Sequence, residues 1–152
     1  MEIVKAQIDD FEEVKRITQD TIKQIYPHYY PAGVVNYFQE HHSDNNIMTD
    51  IIHGKVYLIK DGVEYVGTVT IDGNEINRLF VLPKFQNKGY GTAMMEYAEN
   101  KIFEDYPEIQ LHASLPGKKL YIKMAYFEAE YRTKMVANDD WICIDIMKKN
   151  RP

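Results

Sequence analysis

The chain has 152 residues, 45% of them hydrophobic, and its 18 Lys and Arg against 23 Asp and Glu leave a net charge of −5. That size and apolar content point to a single domain over residues 1–152 with a real core, and exclude a disordered tail or a small stapled scaffold. A mildly acidic chain argues against general nucleic-acid binding, which needs a basic footprint, and no apolar stretch nears the ~20 residues of a membrane-spanning helix.

Residues 3–6 form a short apolar run and a first strand. Asp9 lies three residues before Glu12, the spacing of a capping box, and Phe11, Val14, Ile17, Ile22 and Ile25 repeat on one face, so residues 10–25 form an amphipathic helix. Pro27 and Pro31 bracket a break rich in tyrosine: Tyr26, Tyr29 and Tyr30. Pro31 opens a second helix that turns Val34, Val35 and Phe38 inward. His41 and His42 end it and read as a solvated helix terminus; no third ligand is spaced to join them on a metal. Ser43 or Asp44 caps a third short helix that Gly54 ends.

The pattern then changes. Residues 55–60, 63–71 and 75–82 are rich in Val, Ile, Thr and Tyr, and Asp61-Gly62 and Asp72-Gly73-Asn74 separate them as hairpin signals, giving three antiparallel strands. Residues 89–104 are the strongest helix, with Ala93, Met94, Tyr97, Ala98 and Ile102 on its apolar face and Pro107 beyond its end. A strand over 109–113, a short helix over 117–127 and a hairpin of 130–136 with 141–147 complete the chain. Cys143, the sole cysteine, permits no intrachain disulfide, fits a reducing compartment and reads as a small buried side chain in an apolar strand. This order predicts an α+β fold with a mixed sheet.

One segment carries chemistry. A strand ends at Pro83, a polar turn follows through Gln86, Asn87 and Lys88, and a helix begins at Gly89-Tyr90-Gly91-Thr92. The first N–H groups of a helix lack internal partners, its dipole places partial positive charge there, and glycine lets a phosphate approach the backbone. No Gly-x-x-x-x-Gly-Lys-Ser/Thr run exists, and a dinucleotide fingerprint would need glycine where Met94 stands.

The string Val81-Leu82-Pro83, then Phe85-Gln86-Asn87-Lys88-Gly89-Tyr90-Gly91, resembles the acetyl-coenzyme A signature of the GCN5-related N-acetyltransferases (GNAT). A second stretch, Ser114 to Tyr126 with Tyr121 at its centre, resembles a downstream pattern of the same family, with Gly117 for its Ala, Ala125 for its Gly and Tyr126 for its Phe. The resemblance implies a single GNAT-like domain: a mostly antiparallel sheet of about seven strands flanked by helices, splayed between the fourth and fifth strands, with a bulge near residues 78–80. It implies acetyl-coenzyme A as co-substrate and no metal. The pyrophosphate would rest on backbone N–H groups from Gln86, Asn87, Lys88, Gly89, Tyr90, Gly91 and Thr92, and the pantetheine arm would pair with Leu79, Phe80 and Val81, with Ser114 on its amide. Tyr121 matches the general acid that serves the departing thiolate.

The family's frequent base position holds Asn77, which cannot take a proton; Glu75 shares its strand face and either acts through water or is a solvated strand-edge residue beside a pocket that accepts the neutral amine. Tyr26, Tyr29 and Tyr30, with Glu75 and Asn77, are the expected acceptor wall. The implied function is acetyl transfer to a primary amine of a small molecule or protein by direct attack; the alternative is a non-catalytic acyl-coenzyme A sensor on the same fold. A homodimer is left open, no nucleic-acid or membrane partner is expected, and residues 1–10 lack a signal peptide's apolar segment, so a soluble cytoplasmic protein is expected.

Overall fold

The computed structural model describes residues 1–152. The β-branched and aromatic runs become one seven-stranded sheet: β1 (Glu2–Lys5), β2 (Val56–Asp61), β3 (Glu64–Asp72), β4 (Glu75–Val81), β5 (Glu108–Ala113), β6 (Phe127–Met135) and β7 (Trp141–Asn150). Their spatial order is β1-β2-β3-β4-β5-β7-β6, antiparallel everywhere except between β4 and β5. Five helices cover it: α1 (Phe11–Ile25), α2 (Ala32–His41), α3 (Asp44–Ile52), α4 (Tyr90–Asp105) and α5 (Leu115–Lys123). No helix is long and apolar enough to cross a membrane.

Two-residue alternation divides the core between the two faces of the sheet. On β2, Val56 and Leu58 join Val14, Ile17 and Ile22 of α1 and Ile47 and Ile51 of α3. Tyr57 and Ile59 face the other way, into a cluster with Met94, Met95, Ala98 and Ile102 of α4. The α1 stripe read from sequence is therefore real, and both layers are buried against one sheet.

The feature that makes a site is the parting of β4 from β5. The two meet at a single register pair, Glu75 with Gln110, and diverge beyond it. On its other edge β4 stays paired to β3, but Thr68 faces Phe80 while Thr70 faces Asn77, so Arg78 and Leu79 together oppose Val69. This is a bulge on β4 at the expected place, and Arg78 takes a φ of 45°, a left-handed conformation uncommon outside glycine.

Several local expectations are corrected. The first helix is preceded by a tight turn over Ile8–Asp10, and the capping pair is Gln7 with Asp10, whose carboxylate accepts from the Gln7 N–H at 2.8 Å. The third helix uses Ser43, not Asp44, as its cap, accepting from Asn46 N–H at 3.2 Å. The helix read over 117–127 is α5, capped by Ser114 and finished by a left-handed Ala125 with φ 68°, so that β6 begins at Phe127. Cys143 is exposed, not buried. It shares an uncovered face of β7 with Trp141, while Ile142 and Ile146 point into the molecule; a continuous apolar run hid that alternation. His42 is buried rather than solvated, because Arg78 reaches it from β4.

Candidate active site

A groove of about 830 Å³ runs from the glycine turn along the parted edge of β4 to α5. At the turn, Asn87 has φ 61° and Gly89 φ 92°, and Gly89 caps α4 without any side-chain hydrogen bond. The first intrahelical bond runs from Ala93 N–H to Gly89 C=O at 3.0 Å, which leaves the N–H groups of Tyr90, Gly91 and Thr92 without helical partners. Gly91 stands close to α5: a Cβ there would sit 3.3 Å from Leu120 Cδ2 across the groove, and the leucine would have to give by a few tenths of an ångström.

No carboxylate lines this groove, whereas Lys119 and Lys123 do. They stand four residues apart on α5 and so project on one side of that helix, opposite the glycine turn. In a chain of net charge −5, an acid-free groove with two lysines and a free helix start suits a phosphate-bearing ligand. The two lysines are functional candidates missed in the sequence reading; their i, i+4 spacing with Leu120 and Pro116 was the available signal.

The strand edge is polar and partly satisfied. Leu82 N–H donates to Val66 C=O on the β3 side at 2.9 Å, so by alternation Val81 and Leu79 turn their N–H and C=O groups toward the parting. Gln86 Nε2 donates to Val81 C=O at 2.9 Å, tying the start of the turn to the strand end.

Of the residues expected to hold the cofactor, Leu79, Phe80, Val81, Gln86, Asn87, Gly89, Gly91, Thr92 and Ser114 line the groove. The side chains of Lys88 and Tyr90 do not. Tyr90 opens α4 and turns its ring back into the core, edge-on to Phe85, and Lys88 lies over the Phe85 ring at 5.5 Å, so these two positions offer backbone alone.

A second, smaller cavity of about 120 Å³ adjoins the groove. The two share Tyr26, Leu79, Phe80, Ser114 and Tyr121, so the junction is where the parted strand, the first tyrosine of the break and α5 converge. Tyr121 is buried, and burial alone pushes its phenol up to about 12. Tyr26 is also buried; desolvation raises its phenol and a hydrogen bond from Ser114 opposes the rise. Gly117 makes room for the Tyr121 ring: a Cβ there would lie 3.0 Å from its Cε2.

The expected acceptor wall is divided by the structure. Tyr26 lines both cavities, Tyr29 lines the groove and Asn77 lines the smaller cavity. Tyr30 and Glu75 line neither. The Tyr30 hydroxyl accepts from Leu115 N–H at 2.7 Å, fastening the break to the start of α5, and Glu75 accepts from Gln110 Nε2 at 3.2 Å where β4 and β5 still pair. Both are occupied by partners distant in sequence.

The wall of the smaller cavity instead includes His41, His42, Arg78, His112 and Cys143. Arg78 donates from Nε to His42 Nδ1 at 3.2 Å, from Nη1 to Thr70 Oγ1 at 3.1 Å and from Nη2 to Asp50 Oδ2 at 2.9 Å. No group of three His, Cys, Asp or Glu side chains is placed to hold a metal ion.

Residues 25–150 match a family model described as an acetyltransferase (GNAT) domain. A search of curated proteins finds no match. Solved structures do match over nearly the whole chain. The GCN5-related N-acetyltransferase from Rhodopseudomonas palustris is 17% identical, with a TM-score of 0.87 over 99% of this chain and 95% of that one. PaiA N-acetyltransferase from Thermoplasma acidophilum, in complex with coenzyme A, is 19% identical, with a TM-score of 0.73 over 99% and 98%. YncA from Salmonella typhimurium, with its cofactor acetyl-CoA, is 11% identical, with a TM-score of 0.75 over 99% and 93%. At these identities the likeness is one of fold.

Proposed function

The chain belongs to the GNAT acetyltransferase family, and from that premise we propose that it transfers the acetyl group of acetyl-coenzyme A to an amine. The supporting observation is the acid-free groove that leads from the glycine turn, along the unpaired edge of β4, to Tyr121. The coenzyme supplies an activated thioester. The residues of this chain bind, orient and handle charge.

The free N–H groups at the start of α4, with Lys119 and Lys123 opposite, hold the pyrophosphate and its neighbours. Leu79 N–H, turned into the parting by the bulge, donates to the carbonyl oxygen as negative charge builds there. Tyr26 and Phe80 wall the junction and limit water.

Tyr121 serves the sulfur. Its phenol stays protonated at every working pH, so it is always available to donate. The burial that raises the phenol opposes loss of its proton to the sulfur. Tyr121 therefore stabilises the departing thiolate by a hydrogen bond rather than by giving up its proton outright. The proton the thiolate finally takes originates on the amine.

Calorimetry with acetyl-coenzyme A and a coenzyme A release assay over an amine panel test this reading. Micromolar binding and turnover with at least one amine are expected. Binding without turnover on any amine would favour an acyl-coenzyme A sensor instead.

A further inference from the structure

We propose that the smaller cavity takes a compact amine with one basic nitrogen, and that His41 at its mouth receives the proton this amine must lose. This rests on the acetyl-transfer reading and adds to it a substrate class and a proton acceptor.

Size comes first. The cavity measures about 120 Å³, somewhat less than an apolar cavity of ~150 Å³ that accommodates benzene. It admits a single ring or a short chain with its nitrogen at the junction, beside Leu79 and Tyr121. Its walls are largely apolar or aromatic, among them Tyr37, Phe38, Ile142 and Ile144.

Charge comes second. No Asp or Glu lines either cavity. Asp50, the carboxylate that reaches Arg78 of the wall, is already paired with it at 2.9 Å. A second ammonium on the acceptor would lie beside a buried guanidinium with nothing to neutralise it. The net charge of the whole chain, −5, leaves polyamines open; the local wall selects against them.

A wall that cannot hold an ammonium must accept its proton, and the candidates are few. Asn77 is no base and Glu75 is outside the cavity. His42 is ruled out by its own hydrogen bond: Nδ1 accepts from Arg78 Nε, so the ring proton sits on Nε2 and no lone pair faces the cavity. His41 has no such bond. It is exposed, stacks on Tyr37 with rings 5.9 Å apart and 14° between planes, and opens to both cavity and solvent.

The groups around His41 are Arg78 on β4, His42 just past the end of α2, His112 on β5, Lys134 on β6 and Asp50 on α3, and of these only Asp50 favours the imidazolium. Partial burial, then Arg78, His112 and Lys134, hold its pKa below the ordinary histidine value, so it is neutral and able to accept at pH 7. The balance is closed. The ammonium gives one proton, through water in the cavity, to His41, which keeps it while the freed nitrogen attacks the thioester carbon. The C–S bond breaks, the second proton of the amine ends on the thiolate, and His41 then releases its proton to solvent.

Benzylamine, putrescine and spermidine with acetyl-coenzyme A make the test, with kcat/KM read between pH 6.5 and 9 for the unaltered protein, His41→Gln and, as a control at the exposed end of α3 outside both cavities, His53→Gln. The expected result is at least a tenfold preference for benzylamine. For the unaltered protein and H53Q, kcat/KM is level across most of that window. For H41Q it rises about tenfold per pH unit, following the free amine. Equal or better use of spermidine, or a level profile in H41Q, overturns the inference. So does acetyl-coenzyme A binding with no acetylation of benzylamine. Failure of acetyl-coenzyme A to bind at all would instead strike the acetyl-transfer reading on which the inference rests.

Discussion

The groove and the smaller cavity are built in opposite ways. The groove's essential parts come from one contiguous stretch, Val81 to Thr92, in which strand end, turn and helix start are fixed by backbone chemistry. The smaller cavity is assembled from the tyrosine break, the end of α2, the bulge of β4, the edge of β5, α5 and the middle of β7, with Tyr26 and Ile144 its extremes in sequence. A phosphate-bearing ligand is met by backbone N–H groups that every residue but proline carries, so local spacing suffices. An acceptor is met by side chains, and which side chains converge is a matter of tertiary packing.

The largest expected effect is on the groove. Gly91→Val places branched methyls where even a Cβ would be 3.3 Å from Leu120, between the free helix start and α5. Acetyl-coenzyme A affinity should fall by ~100-fold or more, about 2.7 kcal/mol, in calorimetry. A circular dichroism spectrum matching the parent protein separates lost binding from lost fold. Undiminished affinity would break the assignment of the turn.

Next is the junction. Tyr121→Phe removes the hydroxyl but keeps the ring that packs edge-on to Tyr126. A phenol that stabilises thiolate by hydrogen bonding rather than by proton transfer should contribute ~10–100-fold, seen in kcat with acetyl-coenzyme A affinity unchanged. An unchanged kcat with chemistry rate-limiting would remove Tyr121 from the reaction.

These two experiments bracket how much was legible beforehand. The strands followed from their patterning, the bulge near Arg78 and the parting of β4 and β5 were implied by the family resemblance that the signature string carries, and the structure has them. The turn was legible because its glycines report backbone geometry directly: Gly89 is left-handed, and Gly91 has a neighbour where a side chain would begin. Tyr30 was placed in the acceptor wall because a tyrosine in a break looks available; its hydroxyl is taken by Leu115 N–H, 85 residues away. Glu75 was taken in the same way by Gln110. His42 looked solvated because nothing local hides it, and it is buried by Arg78 across 36 residues. Polar side chains were misplaced wherever a distant partner chose their role.

A smaller effect sharpens the comparison at the boundary between the two cavities. Gly117 stands in α5 where the family pattern has alanine, and a Cβ would lie 3.0 Å from Tyr121 Cε2 and 3.2 Å from both Tyr121 Cζ and Ser114 Oγ. Gly117→Ala should displace the ring by a few tenths of an ångström. Misplacement by ~1 Å can cost ~10²-fold, so a ~3–10-fold loss in kcat is expected, with helix propensity if anything improved. If the thermal midpoint rises while kcat falls, the glycine is serving ring position rather than stability.

The smallest expected effect tests whether the acceptor side depends on docking of the last hairpin. The tight turn Ala137–Asp139 between β6 and β7 lies against the start of α2. There Asp140 Oδ2 accepts from Gly33 N–H at 2.9 Å, and a Cβ on Gly33 would lie 2.0 Å from Ala137 C=O. Pro31 is the N-cap of α2 and offers no side-chain acceptor, so this carboxylate from the far end of the chain does the capping and meets the positive end of the helix dipole. Asp140→Ala should therefore cost about 1 kcal/mol in denaturant unfolding. Because Tyr37, Phe38 and His41 lie further along the same helix and line the smaller cavity, a loosened hairpin should also raise the acceptor KM by a few-fold. Acetyl-coenzyme A affinity should not change, since no residue of α2 lines the groove. A variant that weakens the coenzyme and spares the acceptor would show that the two cavities are not independent.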